Sequence, residues 1–332
     1  MNDLDVSAVI LNYNSITDTI NCLVSLSQQT LKPREIVVVD NKSTDSSINV
    51  LWEWVKNNAV IINEEYGSIK HSNVDCKVSL FVFEKIDIYF IKSPVNGGYA
   101  FGNNLGANYI CKYGESKLIL LANPDVLFST DSIEKLRNEY ISVQKKDKQV
   151  KIIGVQLVYL DDPEKIQAIG GSFNKLWGVC KHVGRQQNVS DLDFIKESVR
   201  VDYPIGACLL IESECFIELG GLNEAYFLYY EELDLITRAA KKKIKFTITN
   251  STTIYHKEGG SIGSSSKSFD AVSSISDKYL LQSRLLFIKR YYPQYLFTNL
   301  MVHIFYILKR LWVRDFVKTW NAIRALKVFV KS

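Results

Sequence analysis

The 332-residue chain is poor in the features that define several large classes of protein. Six prolines and 17 glycines are too few for a collagen-like or low-complexity chain. No two cysteines form a C-x-x-C pair, which excludes the usual zinc and thioredoxin motifs. Six scattered cysteines in a chain long enough to bury a full core predict a reducing compartment. No basic segment precedes the first apolar run, so we expect no secretory signal peptide.

The charge of the chain is unevenly distributed. Residues 278–332 contain eleven lysines and arginines and one acid, Asp315, which gives this segment a net charge of +10. Because the whole chain carries +4, the first 277 residues carry −6. The basic excess therefore belongs to the tail, and we expect no nucleic-acid partner.

Apolar runs alternate with helical periodicity through the first half of the chain. Four runs have the length of buried strands, namely VSAVILNY (6–13), EIVVVD (35–40), IDIYFI (86–91) and KLILLA (117–122). Strands that alternate with helices predict a Rossmann-like α/β fold, with a mixed, largely parallel sheet flanked by helices. Residues 59–85 interrupt the pattern, and we interpret them as an insertion that carries one hairpin.

The second half of the chain is more mixed. Strands are predicted at 151–160, at 201–213 with an interruption at Pro-Ile-Gly (204–206), and at 246–256. A loop is predicted at 170–178, and helices are predicted before Gly220 and within 227–243. A Gly/Ser stretch at 259–268 is the predicted boundary. We therefore expect two units, a main domain over 1–265 and a helical tail over 266–332.

Polar side chains follow the predicted strands, at the ends where open α/β sheets bind ligands. Asp40 could accept a hydrogen bond from a base N–H or a ribose hydroxyl, or it could only cap a turn. The paired glycines of NGGYAFGNN (96–104) let a backbone approach a ligand, although such a segment is often only a turn. In ANPDV, Asp125 could hold Mg²⁺ or Mn²⁺, but the same residues are common in turns.

Two further groups occur late in the main domain. YYEELD (229–234) places three acids at a helix start, where the helix dipole alone would favour them. An aromatic run precedes these acids, which is unusual for a solvated acidic face. His256 closes an apolar strand, and a single histidine in that position could be structural or a ligand.

The order of these motifs resembles that of glycosyltransferase family 2. The motifs follow one another between residues 6 and 262 as VILNYN, VVVDNKSTD, NGGYAFGNN, LLANPD, GGLNEAYFLYYEELDL and IYHKEGGS. The chain is most similar to bacterial polysaccharide enzymes of the rhamnosyltransferase subgroup. This resemblance implies a glycosyltransferase-A type fold and inverting transfer from a nucleotide-diphosphate sugar, with dTDP-rhamnose favoured. The implied acceptor is a hydroxyl of a growing, lipid-linked surface glycan such as an O-antigen or capsule.

The resemblance also assigns residues to the nucleotide site. It places Asn12 and Tyr13 in the nucleotide pocket and Asp40 on the N3–H of the base. The residues implied to lie along the ribose and diphosphate are Asn96, Gly97 and Asn104.

A metal site for Mg²⁺ or Mn²⁺ is implied in the same way. Asn123 and Asp125 occupy the first and last positions of the family's D-x-D motif, and Asp125 is implied to hold the metal. His256 matches a late histidine of the family near the diphosphate and is expected to help at this site. A metal held there would neutralise the charge that develops on the leaving diphosphate.

The acidic cluster matches the E-D-x-D cluster that supplies the general base in this family. The base is implied to be Glu232, which is one methylene longer than the family's aspartate, and Glu231 would orient the acceptor. We expect Glu232 to keep a pKa near the ordinary value of about 4.3 and to be ionised at pH 7. Asp234, the third member of the cluster, could cap the helix or pair with Arg238.

Two other functions compete with this hypothesis. A degenerate family member could bind a nucleotide sugar without catalysis and act as an assembly partner, which the Glu-for-Asp change favours. The retained Asp125, acidic cluster and His256 favour an enzyme instead. A nucleotidyltransferase would need a glycine-rich, basic loop directly after the first strand, and LNYNSITD has none.

The basic tail is predicted to lie on a membrane surface as amphipathic helices. Residues 295–308 are apolar but shorter than the roughly 20 residues that a membrane span requires. The last segment carries one apolar stripe with basic residues beside it: Phe316, Trp320, Ile323, Leu326 and Val330, with Arg324, Lys327 and Lys331. Such a helix suits an anionic leaflet, so we expect a cytoplasmic protein, peripheral at the inner face of the bacterial inner membrane. Packing of the tail on the main domain, or a homodimer, is the alternative.

Overall fold

The apolar runs of the first half form the centre of one mixed sheet. The structure is a computed structural model that describes residues 4–191, 200–257 and 273–331, with Val328, Val330 and Lys331 described by their backbone only. The strands are β1 (Val6–Asn12), β2 (Glu35–Asp40), β3 (Val60–His71), β4 (Val74–Phe83), β5 (Ile86–Lys92), β6 (Leu118–Ala122), β7 (Val126–Phe128), β8 (Val150–Tyr159), β9 (Ile166–Ala168), β10 (Gly170–Asn174), β11 (Val179–Val183), β12 (Cys208–Glu212) and β13 (Lys245–His256). The α-helices are α1 (Ile16–Ser27), α2 (Ser47–Asn58), α3 (Gly98–Tyr113), α4 (Ser132–Lys146), α5 (Ser213–Leu219), α6 (Glu231–Lys241), α7 (Ser274–Tyr291), α8 (Leu296–Trp312) and α9 (Phe316–Lys331).

The strand order explains where a ligand can bind. It is β3-β4-β5-β2-β1-β6-β12-β8-β13-β7, with β9 paired to β8, and β10 and β11 form a separate hairpin. The central strands β5, β2, β1 and β6 are parallel, and antiparallel strands extend the sheet on both sides. The carboxyl ends of four strands therefore meet at one edge, where open α/β sheets bind ligands. The predicted α/β architecture is confirmed.

The central strands are buried on both faces, which accounts for their uninterrupted apolar sequences. Along β1, Val9 and Leu11 enter the core on one face, and Ala8 and Ile10 enter the core on the other. Helices α3, α5, α6 and α7 contribute to the first core, and α1, α2 and α4 contribute to the second. This two-sided packing holds the strand ends rigidly in place.

One prediction in the second half was wrong. Residues 170–178, predicted as a loop, contain β10, which pairs with β11 from Gly170↔Val183 to Asn174↔Val179. This strand begins with two glycines and has no β-branched residue, so its sequence gave no strand signal. The strand predicted over 201–213 forms as β12 beyond the expected interruption, because Pro204 lacks the N–H that a continuous ladder needs.

The insertion forms the predicted hairpin, β3–β4, at one edge of the sheet. His71 in this hairpin lies 2.7 Å from the Glu224 carboxylate, and Ser72 and Asn104 also donate to that carboxylate. Although burial opposes it, these hydrogen bonds lower the pKa of Glu224 to about 2. The hairpin is thus held to the loop that leads into α6.

The tail divides into an inner helix and two outer helices. The predicted boundary at residue 265 lies outside the described residues. Beyond it, α7 buries Leu285, Phe287 and Ile288 completely, and Phe287 joins the core beneath the sheet. The helices α8 and α9 pack on α7 and leave many apolar side chains exposed. Over the ranges that the structure describes, no helix is both long and apolar enough to cross a bilayer.

Candidate active site

A cavity of about 350 Å³ opens at the carboxyl ends of the central strands. Three residues that the sequence assigned to the donor site line it, Tyr13, Asn96 and Asn123. Gly98, from the predicted glycine turn, also lines it. Other lining residues had no role assigned from the sequence, among them Asn41, Tyr99, Phe227, Lys278 and Tyr279. The cavity therefore draws its walls from the strand ends, the glycine turn, the aromatic loop before α6, and α7.

Asn12 and Asp40 lie behind this cavity and do not line it. Asn12 is fully buried, and its Nδ2 donates to Asp40 Oδ1 at 2.8 Å while its Oδ1 accepts from Thr19 at 2.9 Å. The other carboxylate oxygen of Asp40 accepts from the Ser43 backbone N–H at 3.1 Å. A carboxylate has about four acceptor sites, so Asp40 retains capacity for a base N–H. Asn12 thus orients Asp40 and joins β1 to α1.

The glycine turn is shaped by contacts that only glycine permits. Gly98 has a φ of +88°, and a Cβ there would collide with the Phe227 carbonyl oxygen. The side chain of Asn41 joins the turn by donating to Asn96 Oδ1 at 3.1 Å and to the Gly98 carbonyl at 2.9 Å. Gly97 completes the turn, since its N–H donates to Asn41 Oδ1 at 3.3 Å.

Asn104 faces away from the cavity. Its Nδ2 donates to the Leu222 carbonyl and to Glu224, and its Oδ1 accepts from the Leu222 N–H. Every one of these distances is 2.8 Å. The structure therefore places Asn104 between α3 and the loop before α6, where it supports the site from behind.

Asp125 and His256 meet at the end of the sheet, as expected for a metal site. His256 Nε2 lies 3.2 Å from Asp125 Oδ1, and His256 Nδ1 lies 2.7 Å from Gln167 Oε1. An amide oxygen only accepts, so with this amide orientation Nδ1 carries the hydrogen and Nε2 points its lone pair at Asp125. Two lone pairs in that position require a proton or a cation between them. Gln167, which the sequence did not indicate, thus fixes the imidazole.

The donor set fits a divalent cation that shares its ligands with a substrate. Asn123 adds a side-chain oxygen that is buried without a hydrogen-bond partner. In the described part of the chain, no three His, Cys, Asp or Glu side chains form a complete metal-binding group. Mg²⁺ or Mn²⁺ held by Asp125 and His256 would take its other ligands from diphosphate and water, as Mg²⁺ sites commonly do.

The two glutamates of the acidic cluster stand at the start of α6, after a strained turn. Tyr229 and Tyr230 have φ values of +70° and +74°, which are unusual for bulky residues. Glu231 is buried, and its Oε1 has no hydrogen-bond partner. Glu232 is only partly buried, and its carboxylate lies against the Gly206 backbone. Strain of this kind is common at active sites.

Gly206 joins the acidic cluster to the donor cavity. Tyr99, which lines the cavity, donates its hydroxyl to the Gly206 carbonyl at 2.6 Å. The next residue, Ala207, accepts from the backbone N–H of Asn123 at 2.8 Å. The Glu232 carboxylate therefore lies against the same backbone segment that contacts both the cavity wall and the N-P-D segment.

Burial changes the protonation of both glutamates. It raises the pKa of Glu232 to about 7. Burial, together with the nearby carboxylates of Glu232 and Asp234, raises the pKa of Glu231 well above its ordinary value. The expected ordinary pKa of Glu232 is thus replaced by one near neutrality, which is the range that suits a general base.

Asp234 is a structural centre of the cluster. It is fully buried and accepts from Arg238 at 2.5 Å, which is the i,i+4 pair that the sequence suggested. Asn223, Tyr226 and Tyr291 donate to its other oxygen at 3.0, 3.1 and 2.8 Å. With its lone pairs engaged in this way, Asp234 fixes the start of α6 against α7.

Part of the cavity wall comes from aromatic residues whose role the sequence did not reveal. Phe227 and Tyr279 stack with ring centroids 4.2 Å apart, and Ser283 donates to the Leu228 carbonyl at 2.7 Å. These contacts fasten α7 to the loop before α6. The aromatic run beside the acids was visible in the sequence, but its partner on α7 lies about 50 residues away.

Comparison with known proteins agrees with this geometry. Residues 7–79 match the family model described as Glycosyl transferase family 2. The low-salt glycan biosynthesis hexosyltransferase Agl10 of Haloferax volcanii is 25% identical over 240 residues, which are 72% of this chain and 63% of that protein. This chain thus spans less than two thirds of the relative's length. The predicted resemblance to glycosyltransferase family 2 is confirmed, with the family model matching over residues 7–79.

Two solved structures share the fold at low identity. A mannosyltransferase from Pyrobaculum calidifontis, solved with GDP-Man and Mn²⁺, has a TM-score of 0.51 and 13% identity over 98% of this chain and 75% of its own. TarS from S. aureus, solved with UDP-GlcNAc, has a TM-score of 0.52 and 13% identity over 98% of this chain and 81% of its own. These likenesses confirm the glycosyltransferase-A type fold.

Proposed function

We propose that the protein is an inverting glycosyltransferase that moves a sugar from a nucleotide-diphosphate donor to a hydroxyl of a lipid-linked glycan. The observation that carries this proposal is the position of Glu232, whose carboxylate lies against the Gly206 backbone beside a cavity at the strand ends. In that arrangement one carboxylate can act on an acceptor while a donor occupies the cavity. The donors of the two structural neighbours, GDP-Man and UDP-GlcNAc, belong to the same chemical class.

The donor is oriented by groups that are fixed before it binds. Asp40 accepts the N3–H of a pyrimidine base, and Tyr13, Asn96 and the Gly98 turn line the path of the ribose and diphosphate. The resemblance to rhamnosyltransferases favours dTDP-rhamnose, whose thymine carries such an N3–H. Because Asn12 and Asn41 hold these groups in place, little rearrangement is needed on binding.

Asp125 and His256 would hold the metal, with Asn123 beside them. Mg²⁺ or Mn²⁺ bound there would neutralise the charge of the diphosphate. Gln167 keeps the His256 imidazole in the orientation that presents Nε2 to this position.

Glu232 accepts the proton of the acceptor hydroxyl. The acceptor oxygen then forms a bond to the anomeric carbon as the bond from that carbon to the diphosphate oxygen breaks, and the nucleoside diphosphate leaves with the electron pair. The anomeric carbon is inverted because this is a single displacement. One base suffices, and no covalent nucleophile takes part.

The protein is proposed to work at the inner face of the cytoplasmic membrane of a bacterium. Support comes from the exposed apolar residues of α8 and α9, including Trp312, which is 85% exposed. Basic residues flank these side chains, as suits an anionic leaflet. A surface-bound enzyme would meet lipid-linked acceptors directly.

Release of nucleoside diphosphate tests the proposal. Full-length protein is incubated with dTDP-, UDP- and GDP-sugars, with and without Mn²⁺, and slow hydrolysis of the donor is followed. One donor should be turned over in a metal-dependent reaction. Tight binding of a donor without turnover, with or without a glycan acceptor, would instead identify a non-catalytic binding protein.

A further inference from the structure

Arg284, on α7, is a buried cation without an acidic partner among the described residues. It is 3% exposed, and its Nε has no hydrogen-bond partner. Its Nη2 lies 3.0 Å from His303 Nδ1, and its guanidinium lies 5.2 Å from the Tyr306 ring. A buried charge that is not compensated is costly, so an anion is the partner that this position lacks.

His303 cannot supply that negative charge. Its Nε2 lies 2.8 Å from the Ala322 carbonyl, which can only accept, so Nε2 carries the hydrogen and Nδ1 accepts from Arg284. Burial lowers the pKa of His303 to about 4, and the imidazole is therefore neutral. The hydrogen bond between Arg284 and the neutral His303 therefore does not neutralise the positive charge of Arg284.

Arg284 lines a cavity of about 390 Å³ between the tail helices and the β10–β11 hairpin. Four cations and two acids line this cavity, which gives it a net charge of +2: Arg284, Lys309, Arg310 and Lys318, with Asp277 and Asp315. Arg310 pairs with Asp277 at 2.5 Å, and Lys318 pairs with Asp315 at 3.9 Å. The positive charge of Arg284, which no acid among the described residues pairs, suits a phosphate group.

The same cavity adjoins the catalytic glutamates. Tyr230, the residue directly before Glu231, lines it and donates its hydroxyl to the Gly178 carbonyl at 2.7 Å. Cys180 also lines it, and burial, with a smaller contribution from the nearby Glu232 carboxylate, raises the pKa of that thiol. A ligand in the cavity can therefore extend past Tyr230 toward the base.

An apolar groove of about 490 Å³ continues from the cavity on its other side. The groove shares Val179 and Tyr306 with the cavity, and its other walls include Trp177, Met301 and Phe305. Beyond it, α8 exposes an apolar face formed by Phe297, Ile304, Leu308 and Trp312. A cationic cavity that opens into an apolar groove matches a phosphate attached to a hydrocarbon chain.

We propose that the cavity around Arg284 binds the phosphate of a lipid-linked acceptor and that the groove along α8 binds its hydrocarbon chain. This inference rests on the proposed function, because it makes the bound lipid the carrier of the acceptor sugar. The phosphate fixes the acceptor at one end, and the sugar hydroxyl reaches Glu232 at the other. Specificity for lipid-linked acceptors then resides in the tail.

Binding of farnesyl phosphate to the full-length protein, without donor, tests the site by calorimetry. Farnesyl phosphate should bind, and farnesol and inorganic phosphate should each bind more weakly, because each offers half of the contacts. R284Q should weaken farnesyl phosphate binding about 10- to 100-fold, as loss of a charged hydrogen bond does. R290Q is the matched control, since Arg290 is an exposed arginine on the same helix, and it should bind as wild type does.

K309Q removes a second cation of the same cavity, at an exposed position. Its affinity for farnesyl phosphate can therefore be measured even if R284Q does not fold. Equal affinity for farnesyl phosphate in wild type, R284Q and K309Q would overturn the proposal. Inorganic phosphate that bound as tightly as farnesyl phosphate would overturn the lipid part and indicate a free-phosphate site. Failure of the proposed function would look different, because wild type would then release no nucleoside diphosphate from any donor.

Discussion

The donor cavity and the tail distribute polar and apolar side chains in opposite ways. At the strand ends, polar groups such as Asp40 and Asp125 stand on a sheet whose core is apolar on both faces. In the tail, Asn299 and His303 are fully buried, whereas Trp312 and Phe316 are exposed. The polar donor site is supported by an apolar core that belongs to the same chain. In the outer tail helices, the polar side chains that are buried and the apolar side chains that are exposed leave an apolar surface uncovered, and we propose lipid as its partner.

The largest expected effect separates the two adjacent glutamates. E232Q should lower kcat about 10²- to 10⁴-fold, which is the usual contribution of a general base, and should leave donor binding nearly intact. E231Q should be less harmful and should act mainly through the KM of the acceptor. Steady-state kinetics with the identified donor measures both effects, and E218Q is the control at an exposed glutamate on α5. Near wild-type kcat in E232Q, with loss of turnover in E231Q, would reverse the assignment.

Removal of Asp125 tests whether the metal belongs to the donor side. D125A should lower activity about 10²- to 10³-fold, because the diphosphate charge would no longer be neutralised. Its circular dichroism spectrum and Tm should remain close to those of wild type. D75A, at an exposed aspartate in the β3–β4 hairpin, should keep full activity. Undiminished wild-type activity in excess EDTA would contradict the proposed role of the metal.

A smaller effect is expected where α7 meets the donor cavity. Y279A removes the ring that stacks on Phe227 and should raise the KM of the donor about 10-fold, since an aromatic pair contributes about 0.5–1.5 kcal/mol beyond its buried area. Y113A, at an exposed tyrosine of α3, serves as the control. An unchanged KM for Y279A would mean that the cavity wall from α7 takes no part in donor binding.

Membrane association can be measured by flotation with anionic vesicles. Wild type should float, and this fraction should fall at high salt because surface charges are screened. The double variant W312S/F316S should float less, whereas V60S/I217S, at two exposed apolar residues elsewhere, should float as wild type does. Equal failure of all three to float, together with a dimer in sedimentation, would assign the apolar face to a second copy of the chain.

The smallest effect concerns stability and pH. Since the pKa of Glu231 is raised in the folded state, its protonated form stabilises the fold below the ordinary pKa, and this stabilisation is lost as pH rises through the folded value. E231Q should therefore raise Tm at pH 8 by about 2–4 °C, the shift that 1 kcal/mol produces, and should have little effect at pH 4. A lower Tm for E231Q at pH 8 would mean that the buried carboxylate stabilises the fold.

The same contrast explains what could be predicted from the sequence. The donor motifs follow short apolar strands, and parallel strands bring their carboxyl ends together, so Tyr13, Asn96 and Asp125 could be placed in advance. Asn12 and Asn104 were expected in the pocket, but their amides are used up by contacts behind it, which no local pattern reveals.

The tail shows what the periodicity of apolar residues in a sequence cannot predict. A helical stripe predicts that one face differs from the other, but it does not say which face turns inward. In α9, the small residues Thr319, Ala322 and Ala325 are buried, and the larger Trp320 is half exposed. The role of α7 in both the core and the donor cavity depends on contacts between residues far apart in the chain. Such contacts become visible only in the folded structure.

The central claim, that Glu232 is the catalytic base beside the donor cavity, is tested most directly by the pH dependence of kcat. Only the ionised carboxylate can accept a proton, and its pKa is about 7. The account predicts that kcat of wild type rises with pH through about 7 and then levels off, and that the residual kcat of E232Q lacks this rise. The same rise in E232Q, at a comparable rate, would show that another group accepts the proton and would contradict the account.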